Sequence, residues 1–130
     1  MACAAVGGSE IAVAVLLLCP VPHSYEDVLK FMGDANVVQI GPHTHLVRQI
    51  GYVEATFRGT TIVYYRPDSY GMTLAGWNKT TTRSRLSSLT PTFVHISKGD
   101  VYFGWHRLAN WHEVVSVNWP VTQQANGVRS

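Results

Sequence analysis

The stretch GWNKTTTRSRL, residues 76–86, is the only place in the chain where threonine, lysine and arginine crowd together. Before it, residues 60–66 are dense in β-branched and aromatic side chains, which favours a strand. A turn then leads into a second predicted strand at residues 72–77. After it, residues 92–97 and 101–105 carry β patterns joined by a tight Lys-Gly turn. The sequence therefore predicts strand, strand, short helix, strand, strand.

The central stretch itself predicts a helix over residues 81–88. Thr80 or Thr81 is the expected N-cap, because a threonine hydroxyl can accept a hydrogen bond from the first turn. Leu86 and Leu89 would dock this helix on the sheet. The pair Thr90-Pro91 should end it, since the residue before a proline disfavours helical geometry.

A second helix is predicted over residues 25–32. Ser24 stands at the N-cap and Asp27 follows three residues later, in the capping-box position. Gly33 supplies the left-handed stop. The apolar residues at helical spacing on one face are Tyr25, Val28, Leu29 and Met32.

The remaining β patterns complete an α+β prediction, mainly antiparallel sheet with two short helices. The apolar run at residues 10–19 predicts a central strand, because both of its faces would be buried. Further strands are expected at residues 36–40, 44–50, 52–58 and 113–119. In the last of these, Val115, Val117 and Trp119 share a face.

Length, composition and net charge limit the classes of protein to which the chain can belong. Its 130 residues suit one domain, with a loose polar tail at residues 122–130. With 46% hydrophobic and 14% charged residues, the composition is that of a folded globule. A net charge of +2 is too small to indicate nucleic-acid binding by itself. The apolar run 11–19 falls well short of the about 20 residues that a membrane span needs, so no membrane partner is expected.

Two cysteines, Cys3 and Cys19, are too few for a disulfide framework. They could form one bridge, or remain reduced thiols of a cytoplasmic protein, which is the simpler interpretation. Nothing in the sequence indicates a cofactor.

The threonine and arginine cluster is the first candidate binding site. Lys79, Arg83 and Arg85 lie in a region without carboxylates, and the hydroxyls of Thr80 and Thr82 stand between them. Hydroxyls and backbone N–H groups at a helix start favour anions, so the cluster could bind phosphate. The plainer alternative is a capped helix whose arginines decorate its solvent-exposed face.

Tryptophans supply the second candidate feature. Trp77, with Tyr70, could stack a nucleic-acid base. Trp105 and Trp111 belong to an aromatic C-terminal third and could anchor an interface, because tryptophan buries a large area while keeping a polar handle. The alternative is that these rings pack on the sheet as ordinary core residues.

Metal binding and catalysis find weaker support. His43 and His45 could present two imidazoles on one side of a strand, but no second pair stands at zinc-ligand spacing. Scattered histidines are more often core or surface residues. The adjacent carboxylates Glu26 and Asp27 fall in the first turn of a helix, where they complement its dipole. Neither a G-x-S-x-G elbow nor a P-loop occurs, so no catalytic residues are assigned.

These motifs together resemble a group of small proteins encoded by tailed bacteriophages. In that group a G-W-x-T-x-T-T run precedes an Arg-Leu helix and a final hairpin. Here the counterparts are the strand at residues 60–63, the Gly-Trp and threonine run, and the Lys-Gly-x-x-Tyr hairpin at residues 98–102. The likeness spans about residues 43–103, with the threonine run shifted. It implies a phage origin and a β-rich fold, and it implies no activity.

The expected function is therefore that of a non-enzymatic phage protein that binds a host protein or nucleic acid in the host cytoplasm. The expected surface joins residues 77–85 with the aromatic tail. An alternative is a structural virion protein, such as a capsid-decorating or tail component, whose partners are other virion subunits or further copies of itself. A small metal-binding protein or enzyme is the weaker alternative.

Overall fold

The computed structural model describes residues 21–119. The expected strand at residues 10–19, both cysteines and the expected loose tail at 122–130 lie outside the described residues. Within them, the chain forms an α+β fold of antiparallel sheets with two helices, as predicted. Neither of these helices is long and apolar enough to cross a membrane.

The first helix, α1, spans Tyr25–Met32, the range predicted from the sequence. The Ser24 hydroxyl accepts a hydrogen bond of 3.1 Å from the Asp27 N–H, which confirms the predicted cap. Val28 and Met32 are buried on the face that the apolar spacing indicated. Gly33 follows with a φ of 60°, and its N–H closes the last turn on the Leu29 carbonyl at 3.0 Å.

The larger sheet consists of five consecutive strands, which pair in chain order, and one late strand that pairs with the fifth. Every neighbouring pair is antiparallel. The strands are β1 (Val37–Gly41), β2 (Thr44–Gln49), β3 (Tyr52–Phe57), β4 (Thr60–Tyr65), β5 (Ser69–Met72) and β9 (Val115–Asn118). The last strand in the chain, β9, therefore forms the edge of the sheet beside β5.

The intervening chain forms the second helix and a smaller sheet. Helix α2 spans Thr80–Leu89 and is followed by β6 (Val94–Ser97), β7 (Asp100–Phe103) and β8 (His106–Arg107), paired in that order. Helix α2 contacts β4 of the larger sheet and β6 of the smaller sheet. It is thus the element that both sheets share.

The core lies on one face of the larger sheet, because side chains alternate between the two faces of a strand. Leu46, Ala55, Val63 and Met72 stand in register across β2 to β5, and all four are buried. Leu86 and Leu89 of α2 are buried as well, so the predicted docking of this helix is confirmed.

A β-bulge interrupts the β3–β4 pairing. Ala55 pairs with Val63 whereas Thr56 pairs with Thr61, which leaves Ile62 as the extra residue. Ile62 and Val63 are consequently both buried, although they are adjacent in the strand. Such bulges re-aim a side chain, and Ile62 reaches the cleft described below.

Two predictions of local structure are wrong, and one short strand was missed. The strand expected at residues 72–77 lies at Ser69–Met72 instead, where a turn was expected. It does not continue to residue 77, because Ala75 and Gly76 have φ values of 52° and 87° that no strand accommodates. The N-cap of α2 is Lys79, with no side-chain capping bond, so neither Thr80 nor Thr81 is the cap. The short strand β8 was not expected at all; it pairs with β7 through only two residues.

Candidate functional site

A cleft of about 360 Å³ opens between the β3–β4 hairpin and the segment that leads into α2. One wall comes from the hairpin and the bulge, and the other from the start of the helix. Its lining residues are Phe57, Arg58, Thr60, Ile62, Trp77, Lys79, Thr81 and Thr82. The candidate site therefore combines part of the threonine and arginine cluster with a hairpin that is distant in sequence.

Arg58 enters the cleft from the tip of the β3–β4 hairpin. It and Gly59 have φ values of 55° and 83°, the geometry of a type I′ turn, which matches the twist of paired strands. The Arg58 N–H also donates a hydrogen bond of 2.8 Å to the carbonyl of His43, so the turn is tied to the neighbouring β1–β2 loop. The backbone of Arg58 is thus held by a hydrogen bond, whereas its side chain is exposed.

The opposite wall is a short non-helical segment followed by the first turn of α2. The Trp77 N–H bonds the Leu74 carbonyl at 2.9 Å, and the Lys79 N–H bonds the Trp77 carbonyl at 2.9 Å. These bonds set the direction of Trp77, whose side chain remains 54% exposed. Thr82, one turn on, is buried and closes the base of this wall.

No acidic side chain of the described residues pairs with the cations of the cleft. Arg58 and Lys79 supply two cations, and none of the lining residues is acidic. Among residues 21–119, neither side chain makes an ion pair or donates a hydrogen bond. An anion that entered the cleft would meet two cations with their hydrogen-bonding capacity still unused.

Arg85 lies next to the cleft but already has partners. Its Nε donates 2.9 Å to the Thr44 hydroxyl and its Nη2 donates 3.3 Å to the Pro42 carbonyl. Its guanidinium carbon is 4.6 Å from the ring centroid of Phe57. Burial lowers the pKa of Arg85, and the nearby charge of Arg58 lowers it further. Arg85 therefore fastens α2 to the β1–β2 turn and stands in a cluster of like charges.

Arg83 is likewise engaged, within its own helix turn. Its guanidinium donates to the Asn78 side chain and, at 3.3 Å, to the Thr80 hydroxyl. Thr80 is exposed at the first position of α2 and does not line the cleft. Both residues border the cleft without forming its wall.

A loop from the C-terminal region braces the Gly-Trp segment. The Gly76 N–H donates 2.8 Å to the carbonyl of Trp111, and the His112 ring lies where a Gly76 side chain would be, 2.7 Å from the position of a Cβ. Glu113 holds this loop by accepting from the Ala109 N–H at 2.6 Å and bonding His106 at 2.7 Å. Both hydrogen bonds lower the pKa of Glu113, and the bond from the Ala109 N–H has the larger effect.

The candidate residues from the sequence are only partly brought together. Trp77, Lys79 and Thr82 line the cleft, and Trp111 supports it through its backbone carbonyl. Trp105 does not line it; this residue follows β7 in the smaller sheet and is 99% exposed.

Tyr70 is not available for base stacking, contrary to expectation. It is buried, its hydroxyl is 2.6 Å from that of Thr92, and its ring lies 4.8 Å from that of Trp119. Burial raises the pKa of Tyr70, because the charged phenolate would lose its hydration. Tyr70 is thus part of the core.

The four residues from the hairpin, Phe57, Arg58, Thr60 and Ile62, were missed in the sequence. The only local signal was Arg58-Gly59 at the joint between two β patterns, which indicates a hairpin with a cation at its tip. That this tip faces α2 follows from tertiary packing, which no local pattern contains.

The histidine candidates for a metal do not form a ligand cluster. His43 is exposed in the β1–β2 turn, and His45 lies in β2 between its partners Gln39 and Thr56. Within the described part of the chain, no group of three or more histidine, cysteine or acidic residues could hold a metal ion.

No protein-family model, curated protein or solved structure matches the chain. The interpretation of the cleft therefore depends on its own chemistry: an exposed indole, two cations without an ion pair among the described residues, several hydroxyls and no acidic side chain in the lining. This combination suits the binding of an anion that carries a flat ring.

Proposed function

We propose that the chain is a non-enzymatic binding protein whose cleft binds nucleic acid. The observation that carries the proposal is the pair Arg58 and Lys79, which line a cleft without carboxylates together with the exposed Trp77 and make no ion pair or side-chain hydrogen bond within residues 21–119. The phage origin and the host cytoplasm as the place of action belong to the same proposal and depend on the resemblance of the Gly-Trp and threonine run to phage proteins.

Nucleic acid fits this site for an electrostatic reason. Each phosphate neutralised by lysine or arginine releases condensed counterions, and this release favours binding even when few contacts form. The overall charge of +2 is small, but the positive groups are concentrated on one wall and at one hairpin tip. A host protein with an acidic segment could use the cations, yet the exposed indole is better explained by a base.

The test is the salt dependence of binding to an oligonucleotide. Arg58→Ala combined with Lys79→Ala should reduce the slope of log K against log salt by about 1.4, two phosphate contacts at ~0.7 each for a single strand. The earlier candidates Arg83 and Arg85 are less suitable here, because their guanidinium groups hold α2 together.

A matched control removes two cations from the smaller sheet. Lys98→Ala with Arg107→Ala causes the same loss of net charge, and neither residue lines the cleft. This control should leave the slope unchanged. An equal decrease in both double variants, or no oligonucleotide binding by the unaltered protein, would contradict the proposal.

A second candidate function is that of a virion subunit. Three apolar side chains of the smaller sheet and its flanks are exposed: Phe93 at 67%, Ile96 at 48% and Trp105 at 99%. Contacts between copies of the chain would bury such groups. This candidate predicts concentration-dependent self-association in sedimentation experiments that Trp105→Ser weakens, and a monomer at every concentration would exclude it.

A further inference from the structure

We infer that the cleft holds one nucleotide of a single-stranded nucleic acid, with its base against the Trp77 indole and its phosphate between Arg58 and Lys79. This inference depends on the proposed function and makes it specific. It distinguishes binding of a single strand through a stacked base from binding of a duplex through charge alone.

The size and shape of the cleft favour a single nucleotide. Its volume of about 360 Å³ lies at the lower end of the range, roughly 300–1,000 Å³, of pockets that enclose small ligands. Duplex recognition in the major groove requires a protruding helix or β-ribbon. A concave site can receive a base only when that base is outside the stack, which is the ordinary state of a single strand.

Trp77 is the ring in the cleft that remains free to stack. Phe57, the other ring in the lining, already has the guanidinium carbon of Arg85 4.6 Å and that of Arg58 5.4 Å from its centroid. Within residues 21–119, Trp77 is in no aromatic pair and under no cation, and it is half exposed. A base stacked there would bury apolar surface that the fold leaves open.

The two cations of the lining supply the positive charge that the phosphate of that nucleotide requires. Arg58 and Lys79 come from opposite walls of the same cleft that Trp77 lines. Arg58 also approaches Arg85 closely enough for its charge to lower the pKa of Arg85. A bound phosphate would relieve this repulsion.

The hydroxyl groups in the lining can add polar contacts to a nucleotide without discriminating between its bases. Thr60 and Thr81 line the cleft, and neither side chain makes a hydrogen bond among the described residues. A threonine hydroxyl can both donate and accept, so it suits the edge of any base or a sugar oxygen. We therefore expect weak discrimination between bases and strong discrimination between single strands and duplexes.

The experiment compares three oligonucleotides of equal length: a thymidine single strand, the same strand with abasic sites, and a duplex. The thymidine strand should bind most tightly. Trp77→Ala should weaken that binding roughly 5- to 150-fold, the equivalent of the ~1–3 kcal/mol of one base stack. The same variant should bind the abasic strand as the unaltered protein does. Trp105→Ala, which removes an exposed indole outside the cleft, is the matched control and should have no effect.

Each outcome decides a separate statement. If the abasic strand binds as tightly as the thymidine strand, or if the duplex binds best, the inference about one stacked base is overturned while the proposed function stands. If no oligonucleotide depends on Arg58 and Lys79, the proposed function fails as well. Trp77→Phe, which keeps a ring, should retain most of the affinity and shows that the loss in Trp77→Ala is not a folding defect.

Discussion

The hydroxyl of Tyr65 donates a hydrogen bond of 2.6 Å to the carbonyl oxygen of Leu89, the last residue of α2. Tyr65 belongs to β4 and is fully buried. The last carbonyls of a helix have no partner within the helix, so one of them is satisfied here by the sheet. The helix that carries one wall of the cleft is thereby fixed to the strand that carries the other.

Tyr65→Phe should therefore lower the free energy of unfolding by about 1–3 kcal/mol, because it leaves a buried carbonyl without a donor. Urea unfolding followed by circular dichroism measures the change. Tyr64→Phe is the matched control: Tyr64 is the preceding residue in the same strand, half-buried, and its hydroxyl has no partner among residues 21–119. That control should stay within about 0.5 kcal/mol, and equal effects in the two variants would contradict the assignment.

Alkaline pH should destabilise the protein through the same residue. Burial raises the pKa of Tyr65 far above its ordinary value of 10.0. In the unfolded chain the hydroxyl ionises near that ordinary value, whereas in the folded protein it stays neutral. The contribution of Tyr65 to the free energy of unfolding is therefore fully present below about pH 10 and decreases as the pH rises further.

The contribution of Tyr65 to this decrease approaches ~1.4 kcal/mol per pH unit, the value for one proton. Unfolding free energies measured between pH 8 and pH 11 should show a shallower decrease in Tyr65→Phe than in the unaltered protein. Part of the decrease should remain, because burial also raises the pKa of Tyr70. Parallel curves for the two proteins would show that Tyr65 is accessible to hydroxide in the folded state.

Arg58 and Arg85 should respond to substitution to different extents. Arg85→Ala removes the bonds to Thr44 and Pro42 and should destabilise the protein by about 1 kcal/mol. Arg58→Ala removes a like charge near Arg85 and also an exposed cation–π contact with Phe57, two effects that oppose each other, so the melting temperature should change little. Thermal unfolding at two salt concentrations measures both. A large loss of stability in Arg58→Ala would mean that Arg58 is a structural residue and not a binding residue.

Gly76→Ala and Gly99→Ala form a comparison at nearly equal backbone geometry. Their φ values are 87° and 85°, so each substitution should cost about 1–2 kcal/mol from left-handed strain. Only at Gly76 does a new Cβ meet another group, the ring of His112. Because His112 is exposed and can rotate away, the extra cost should be about 0.5–1.5 kcal/mol.

The His112→Ala background should abolish this extra cost while leaving the strain. Urea unfolding of the four variants completes the comparison. If Gly76→Ala and Gly99→Ala lose equal stability in both backgrounds, the His112 contact does not support the Gly-Trp segment.

Helix α1 was predictable from the sequence because its signals are local. Ser24 and Gly33 act within one turn of the residues they serve, as cap and end of the helix. The details differ in two places: Asp27 accepts from the His23 N–H and not from the Ser24 N–H of a capping box, and Gly33 has a ψ of −129°, outside the left-handed helical region. The strands with dense β-branched residues were predictable for the same reason, since the preference is written into each side chain.

The start of α2 and the end of β5 were not predictable, because tertiary contacts override local preference there. Thr80 and Thr81 have the chemistry of caps, but the chain enters the helix at Lys79. The backbone turns at Ala75 and Gly76, where the Trp111 carbonyl accepts the Gly76 N–H from more than thirty residues away. A pattern read along the chain does not contain that partner.

The candidate site shows the same division. Trp77, Lys79 and Thr82 belong to one stretch of sequence, and all three line the cleft. Arg58 belongs to the site because the β3–β4 hairpin points at α2, a relation that exists only in three dimensions. Arg85 has the charge of a ligand-binding residue, but its guanidinium group already donates hydrogen bonds to Thr44 and Pro42.

The late arrival of β9 has a consequence for the order in which the fold assembles. Residues 115–118 must find residues 69–72 across the whole of α2 and the smaller sheet, and Trp119 then seals the junction by bonding the Arg66 carbonyl at 2.6 Å. Long-range pairing of this kind is slow, whereas the hairpins from β1 to β5 join neighbours along the chain. In refolding kinetics, burial of the Trp119 indole should therefore be the last event, after the cleft between residues 57 and 82 has taken shape.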